Sequence, residues 1–248
     1  MTVGPHERRS AAVPMSSQNP ADVLDLLTEF PHAVGAFAEM RRYVKSVAQF
    51  SDFPSAQSIT RLKAELRRTA DPVREGEIEY EIEVAELDAR CTVPRIVWGS
   101  ILVAIYATFE TGVRNALAHW ANNVPGAAPF EVKGVGRFQS AANDYASMEA
   151  GVELFSNVTL KESVLELKSL RDSFAHSVGC IPHRRTELHS TIDKARERGY
   201  EISVENENWI ATPRIAAYYL LQAERAYKIF ADALMEEYIA RMAPPAEA

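Results

Sequence analysis

Apolar residues recur at every third or fourth position along most of the chain, which is the spacing of an amphipathic helix. The longest such stretch is predicted to begin at Pro94 and to run to about residue 122. Because every fourth residue falls close to one face of a helix, we expect its apolar stripe to face a core. The stripe consists of Ile101, Ile105, Phe109, Val113 and Leu117.

Further helices are predicted on both sides of this one. Proline is tolerated in the first turn of a helix, so Pro72 and Pro213 each mark a start, with Thr212 as the N-cap of the last helix. Gly179 is expected to close the helix before it. The ranges are 22–49 with a break near Pro31, 58–68, 72–90, 137–148, 160–178, 186–198 and 213–241. The last helix is expected to turn inward Ile215, Tyr219, Ala226, Ile229, Phe230 and Leu234.

Residues 199–213 depart from the helical spacing, because apolar and polar residues alternate there around a Glu-Asn-Glu-Asn turn, which predicts a small β-hairpin. Gly and Pro mark a loop at 124–136. The sequence therefore predicts an all-α fold, a helical bundle with one small β-hairpin before the last helix and an N-terminal helical extension. The expected divisions are a disordered lead at 1–20, the extension at 21–93 and the bundle domain at 94–243.

Composition narrows the possible functions. A net charge of -7 argues against a general nucleic-acid coat but leaves room for a local basic site. Cys91 and Cys180 are far apart and in no ligand spacing, so neither a disulfide framework nor a zinc site is expected. The longest apolar stretch, 96–107, is much shorter than the roughly 20 residues that span a bilayer. We expect a cytoplasmic protein with no membrane segment, metal or cofactor.

One stretch brings together the residue types of a reaction. Arg171, Asp172 and His176 form the pattern Arg-Asp-x-x-x-His near the end of a predicted helix. A guanidinium can hold phosphate oxygens, and an imidazole can exchange protons near neutrality. The same spacing occurs at Arg114 and His119. In a chain of this composition, the number of such pairs expected by chance is roughly one half. Spacing does not choose between the two pairs, and either could be an ordinary solvated or helix-end pair.

The order of elements supplies a resemblance. A helix containing Ile105-Tyr-Ala-Thr-Phe-Glu110, a helix ending Leu-Arg-Asp-x-x-x-His-x-x-Gly, a hairpin and a closing helix resemble the HEPN superfamily over about residues 94–243. Many of its members are metal-independent ribonucleases of toxin, RNA-processing and phage-defence systems, with an Arg-x(4 to 6)-His motif. The resemblance implies that Arg171 and His176 are catalytic, with Asp172 and Glu110 in supporting positions.

Other basic residues are candidates for contact with RNA. Arg114 and His119 could touch a phosphate or lie as solvated residues beside the apolar stripe. Arg184 and Arg185 follow the motif and could hold an RNA backbone or belong to a solvated loop.

The helix geometry predicts a dimer. Five residues at about 100° each set His176 about 140° around the axis from Arg171, so the two side chains do not share a face. HEPN nucleases are similar in pairing two motif helices across a two-fold interface, which implies a homodimer acting on RNA. His176 would move the proton of the 2′-hydroxyl or of the leaving oxygen, and Arg171 would stabilise the charged phosphorane.

Two functions from different classes stay open. One is a HEPN ribonuclease that acts as a toxin or abortive-infection effector, with an antitoxin or another defence-system protein as partner. The other is a catalytically inactive helical module that binds a nucleotide or a protein.

Overall fold

The computed structural model describes residues 20–50, 53–133, 136–180, 186–200, 202–205 and 207–242. Nearly all of the lead predicted at 1–20, and both Arg184 and Arg185, lie outside these residues. In chain order the elements are α1 Pro20–Phe50, α2 Phe53–Leu66, α3 Pro72–Leu87, a π-helical turn Asp88–Thr92, α4 Val93–Asn123, α5 Phe138–Ala150, α6 Val158–Ser177, α7 Thr186–Glu197, β1 Ser203–Glu205, β2 Asn208–Ile210 and α8 Pro213–Met242.

The predicted fold class is confirmed: the protein is an all-α bundle with one small β-hairpin before the last helix. α4, α6 and α8 pack on one another, and α1 lies against α4 and α8. The apolar stripe of α4 is fully enclosed by these contacts, as its spacing predicts, with Ile105, Phe109, Val113 and Leu117 each at 0% exposure. In the antiparallel hairpin, Val204 pairs with Trp209, and the Trp209 ring is buried in the same core.

Helix α1 corrects one sequence expectation, since it is continuous through Pro31, where a break was expected. A proline inside a helix removes one backbone donor and crowds the preceding turn, which can be accommodated without ending the helix. The C-terminal half of α1 is held against α4 and α8, where Phe37 and Val44 are buried. This packing favours continuation over a break at Pro31.

The expected start of the long helix at Pro94 agrees to within one residue with α4, which begins at Val93. What differs is the preceding helix, because a continuous helical run extends from Pro72 to Asn123, with a π-helical turn just before Pro94. In that turn the Val93 N–H donates to the carbonyl of Asp88, five residues back. The extra residue in this turn relieves the crowding that the Pro94 ring, which has no N–H to donate, would cause in the preceding turn. The boundary expected at 93/94 therefore falls within this helical run.

The same run contains an apolar window of 18 residues, with a mean hydropathy of 1.5, of which half is buried inside the protein. A helix at the core of a bundle has these properties as well as a membrane span does. Because a buried core helix has the same length and hydropathy, the run is only weak evidence for a membrane segment.

Helix α8 matches its predicted inward face with one exception. Ile215, Tyr219, Phe230 and Leu234 are buried, as is Ala226, whereas Ile229 is 45% exposed. On a regular helix Ile229 lies about 130° from the centre of the buried residues of α8, which places it just beyond the edge of the packed face. An apolar residue at such an edge is common and does not disturb the bundle.

Helices α2 and α3 form a hairpin, here termed the α2–α3 arm, whose main contacts are between the two helices and with the π-helical turn. Leu62 and Ile78 are buried between them. Asp71 caps α3 by accepting from the Val73 N–H, and Lys63 pairs with Glu86 at 2.8 Å. The arm thus has its own apolar seam and its own ion pairs.

Candidate active site around Arg171

Helix α6 supplies the residues of the predicted motif. Asn157 caps its start by accepting from the Leu160 N–H at 3.0 Å. The apolar side of α6 packs against α4 and α8 with Val164, Leu167 and Leu170 fully buried. Arg171, next to this buried side, is thereby brought against α4 with its side chain only 30% exposed.

The Arg171 guanidinium is held on three sides. Its centre lies 4.7 Å from the centroid of the Tyr106 ring, a cation–π contact. Nη1 donates to Asp172 Oδ1 at 2.7 Å, and Nη2 donates to Glu110 Oε2 at 3.4 Å. Tyr106 itself is buried, with 1% exposure, so it is both a core residue and the platform beneath the arginine. The guanidinium is therefore oriented before any ligand arrives.

Asp172 is held as a carboxylate. Burial raises the pKa of its carboxyl, but hydrogen bonds from Lys168 and Arg171 outweigh that effect, so the pKa lies below its ordinary value. Lys168 Nζ donates to Asp172 Oδ2 at 2.7 Å, which occupies the second carboxylate oxygen. Burial, followed by the charge of Glu110, raises the pKa of Tyr106, so its phenol stays protonated.

Glu110 links the arginines of two Arg-x4-His pairs, Arg114/His119 and Arg171/His176. Its Oε1 accepts from Arg114 at 3.2 Å, while its Oε2 accepts from Arg171. Arg114 also lies over the Phe138 ring of α5, at 5.0 Å. The two arginines, 57 residues apart and on different helices, are thus brought to the same place by one carboxylate.

The resulting cluster has a small positive charge. We use the name arginine cluster for Glu110, Arg114, Lys168, Arg171 and Asp172. Its three cations and two carboxylates leave a formal charge of +1 on a chain whose net charge is -7. A local positive site on an acidic protein can attract an anion that the rest of the surface repels.

His176 lies apart from the arginine cluster. It is exposed in the last turn of α6, and among the residues that the structure describes none is hydrogen-bonded to its imidazole. A single chain therefore positions Arg171 on the α4 side of α6 and leaves His176 exposed. This is the separation that the 140° offset predicts.

His119 is separated from Arg114 in the same way. It contacts Asn123, whose Nδ2 lies 3.1 Å from His119 Nε2, and it lines a groove of about 560 Å³ together with Ala36, Thr111 and Tyr227. That groove lies between α1, α4 and α8, on another face of α4 from the arginine cluster. The structure thus brings Arg114 to Arg171 and leaves His119 elsewhere.

The end of α6 is tied to the β-hairpin. Trp209 Nε1 donates to Ser173 Oγ at 3.1 Å, and the Trp209 backbone N–H donates to the Gly179 carbonyl at 3.0 Å. Phe174 packs so closely on Gly99 of α4 that a Cβ added there would lie 2.2 Å from the ring. The turn that carries His176 is therefore fixed to the β-hairpin and to α4.

The helix closes in an unusual backbone conformation. Val178 has a φ of 51°, and Gly179 has a φ of 81°. Gly179 was expected to end the helix, but the C-cap is Val178, with Gly179 continuing the turn. A β-branched residue in the left-handed region is strained, so the contacts at Gly179 must compensate.

Sequence reasoning missed two parts of this region. Lys168 could have been found, because it lies four residues before Asp172 on the same helix face. The buried Glu166 could not, because its partners come from other elements: Arg198 holds it through both Nη atoms, and the Tyr219 hydroxyl donates to it at 3.3 Å. This network fixes α6 to α7 and α8.

Within the described ranges, no group of three or more His, Cys, Asp or Glu side chains is placed to hold a metal ion.

Comparison of the chain with protein-family models, with curated proteins and with solved structures gives no match. The assignment of function therefore depends on the geometry of the arginine cluster and on the resemblance of its motif.

Proposed function

We propose that this protein is a metal-independent endoribonuclease of HEPN type that cleaves RNA by 2′-hydroxyl transesterification at a dimer interface. One observation carries the proposal: Arg171 is oriented by Tyr106, Asp172 and Glu110, while His176 is exposed on a helix end tied to its neighbours. A positioned guanidinium and an accessible imidazole are the two groups that the reaction needs.

Arg171 is suited to bind a phosphate. A guanidinium carries five N–H donors, and the contacts with Glu110 and Asp172 are each made through one nitrogen. The remaining donors can reach the oxygens of a phosphate that approaches from the exposed side. Because Tyr106 and the two carboxylates already hold the planar group, little side-chain entropy remains to be lost when RNA binds.

His176 is suited to transfer protons. In the first half of the reaction the 2′-oxygen attacks phosphorus and its proton passes to a neutral imidazole. The bond from phosphorus to the 5′-oxygen breaks, and that oxygen takes a proton from a protonated imidazole. The products are a 2′,3′-cyclic phosphate and a 5′-hydroxyl, and no electron transfer or added reactant is involved.

A dimer would bring the Arg171 of one protomer near the His176 of the other, although the two side chains lie apart within one chain. A two-fold axis near the end of α6 would place the exposed His176 of each protomer beside the axis, with two arginine clusters flanking it. The imidazole of one protomer can then act beside the Arg171 of the other, taking the proton of the 2′-hydroxyl and giving it to the leaving 5′-oxygen. As a toxin or phage-defence effector in the cytoplasm, the enzyme would be held in check by an antitoxin or another partner protein.

A second candidate is favoured by one observation. Arg171 is neutralised by two carboxylates, and Asp172 is also paired with Lys168. An arginine held in this way can act as a structural link between α6 and α4 without binding any ligand. The protein would then be a catalytically inactive helical module that binds a nucleotide or a protein.

The two candidates are separated by an RNA cleavage assay with purified protein in the presence of EDTA. We expect wild type to cleave and His176→Ala to lose at least about two orders of magnitude, the usual contribution of general acid–base catalysis. His119→Ala is the matched control, since it removes the imidazole of the other pair. Equal activity of wild type and His176→Ala, or loss of activity in EDTA, would refute the nuclease proposal.

A further inference from the structure

The α2–α3 arm has an exposed apolar surface along α3, which at Leu87 reaches the cleft beside the β-hairpin. Four large apolar residues of α3 are exposed there: Val73 at 73%, Tyr80 at 68%, Leu87 at 44% and Val84 at 39%. On a regular helix these positions lie within about 60° of one another around the axis. They form a single line about 21 Å long, from the first turn of α3 to its last. This line is called the α3 stripe.

The α3 stripe is not needed to fold the arm. The seam between α2 and α3 uses Leu62 and Ile78, and Ile78 lies on the side of α3 away from the stripe. Single exposed apolar residues are normal on protein surfaces, whereas four aligned along one helix make a continuous patch. A patch of that shape fits another helix, whose own apolar residues would recur every third or fourth position.

Both flanks of the α3 stripe are acidic. Exposed Glu77 and Glu81 lie on one side, and exposed Glu79 and Glu83 lie on the other. α3 contains six glutamates and one arginine, Arg74, which pairs with Glu65, Glu77 and Glu81. The flanks therefore remain negative after these ion pairs are formed.

The glutamates beside the α3 stripe indicate what kind of partner it binds. We propose that the α3 stripe docks a basic amphipathic helix of a partner protein, with Leu-like residues against the stripe and Lys or Arg against the glutamates. A second copy of α3 would set glutamates against glutamates along both edges, and like charges in these positions are destabilising. The proposal is independent of ribonuclease activity, because the stripe lies on the α2–α3 arm and the arginine cluster lies on α4 and α6.

Synthetic peptides test this proposal on the full-length protein. The probe is a fluorescent helical peptide of three heptads with Leu at the a and d positions and Lys at the e and g positions. Its acidic twin has Glu in place of Lys. By fluorescence anisotropy, we expect the basic peptide to bind at least about tenfold more tightly than the acidic twin, with affinity falling as salt rises.

Two variants assign the binding to the α3 stripe. Val73→Glu with Tyr80→Glu changes the two most exposed side chains of the stripe, so the melting temperature should be retained while binding of the basic peptide falls at least about tenfold. Glu79→Lys with Glu83→Lys should reduce the preference for the basic peptide over the acidic one. Unchanged binding by the stripe variant, or no binding of either peptide to wild type, would overturn the proposal. A wild-type dimer that Tyr80→Glu makes monomeric would show that the stripe is a self-interface and would also overturn it.

Discussion

Arg114 and Arg171 share the carboxylate of Glu110, although one lies on α4 and the other on α6. The sequence contains three Arg-x4-His pairs, Arg114/His119, Arg171/His176 and Arg184/His189, and spacing does not choose between them. Arg184 lies outside the described residues, and the structure joins the arginines of the other two pairs and separates their histidines. We therefore regard the arginine cluster as one anion-binding unit to which both pairs contribute.

The first prediction tests Glu110 as the residue that positions both arginines. Glu110→Gln keeps the shape of the side chain but removes the charge that Arg114 and Arg171 share. We expect ribonuclease activity to fall by about tenfold to 100-fold, because a misplaced catalytic group is costly. The free energy of unfolding should change by no more than about 1 kcal/mol, since the pairs are partly exposed.

Glu237→Gln is the control for Glu110→Gln. It removes an equivalent i,i+4 pair with Arg241 on α8, at 2.8 Å, and leaves the arginine cluster intact. Activity should stay at the wild-type level. If Glu110→Gln also retained full activity, Glu110 would have no positioning role.

The second prediction concerns pH and Asp172. Burial raises the pKa of this carboxyl, but hydrogen bonds from Lys168 and Arg171 bring it below its ordinary value, so the folded protein favours the charged form. A lowered pKa stabilises the fold fully above the pKa of the unfolded chain, about 3.9, and that stabilisation is lost as pH falls through the folded pKa.

Urea unfolding of wild type and Asp172→Asn between pH 3 and pH 7 measures this effect. We expect wild type to be more stable by about 1 kcal/mol at neutral pH. The difference should shrink below about pH 4, where the unfolded carboxyl becomes protonated. A difference that stayed constant over the whole range would show that the ionised carboxylate is not what stabilises the fold.

The third prediction concerns the contact between α4 and α6. An added Cβ at Gly99 would lie 2.2 Å from Phe174, so Gly99→Ala must displace the ring or the end of α6. We expect a loss of about 1 to 3 kcal/mol in unfolding free energy. Gly76→Ala on α3 is the matched control, because nothing lies within 4 Å of its new Cβ. That variant should be more stable than wild type by about 0.5 to 1 kcal/mol.

The fourth prediction tests the composite site. Arg171→Ala and His176→Ala chains should each be inactive as homodimers, and mixing them should restore part of the activity if the site is shared between protomers. Sedimentation at micromolar concentration gives the oligomeric state in the same buffer. A monomer that cleaves RNA, or a mixture no more active than its parts, would contradict a shared site.

The sequence predicted the elements better than their junctions. The stripe from Ile101 to Leu117 and the hairpin at 203–210 have strong local periodicity, and the structure confirms both. The continuity of α1 through Pro31 and of the helical run through Pro94 depends on packing and on one π-helical turn, which a pattern of residue types does not encode.

In the candidate site, too, local contacts could be predicted from the sequence, whereas contacts between helices could not. Asp172 and Glu110 were identified as supporting residues from the motif and the resemblance, and the structure places both against Arg171. The contact between Glu110 and Arg114 is local and follows from their i,i+4 spacing. That Arg171 shares the same carboxylate depends on how α4 and α6 cross, so it could be known only from the fold.

The hydrogen bond between Trp209 and Ser173 also affects the order in which parts of the fold can form. The two residues are separated by 36 positions, and Gly179 depends on the same tryptophan. Val178 is held in a conformation that valine rarely adopts, so this last turn is not favoured by the local sequence of α6. During synthesis, a chain that has not yet reached the second hairpin strand can form most of α6 but lacks the contacts that close its end. The turn carrying His176 therefore has its closing contacts only once Trp209 is in place.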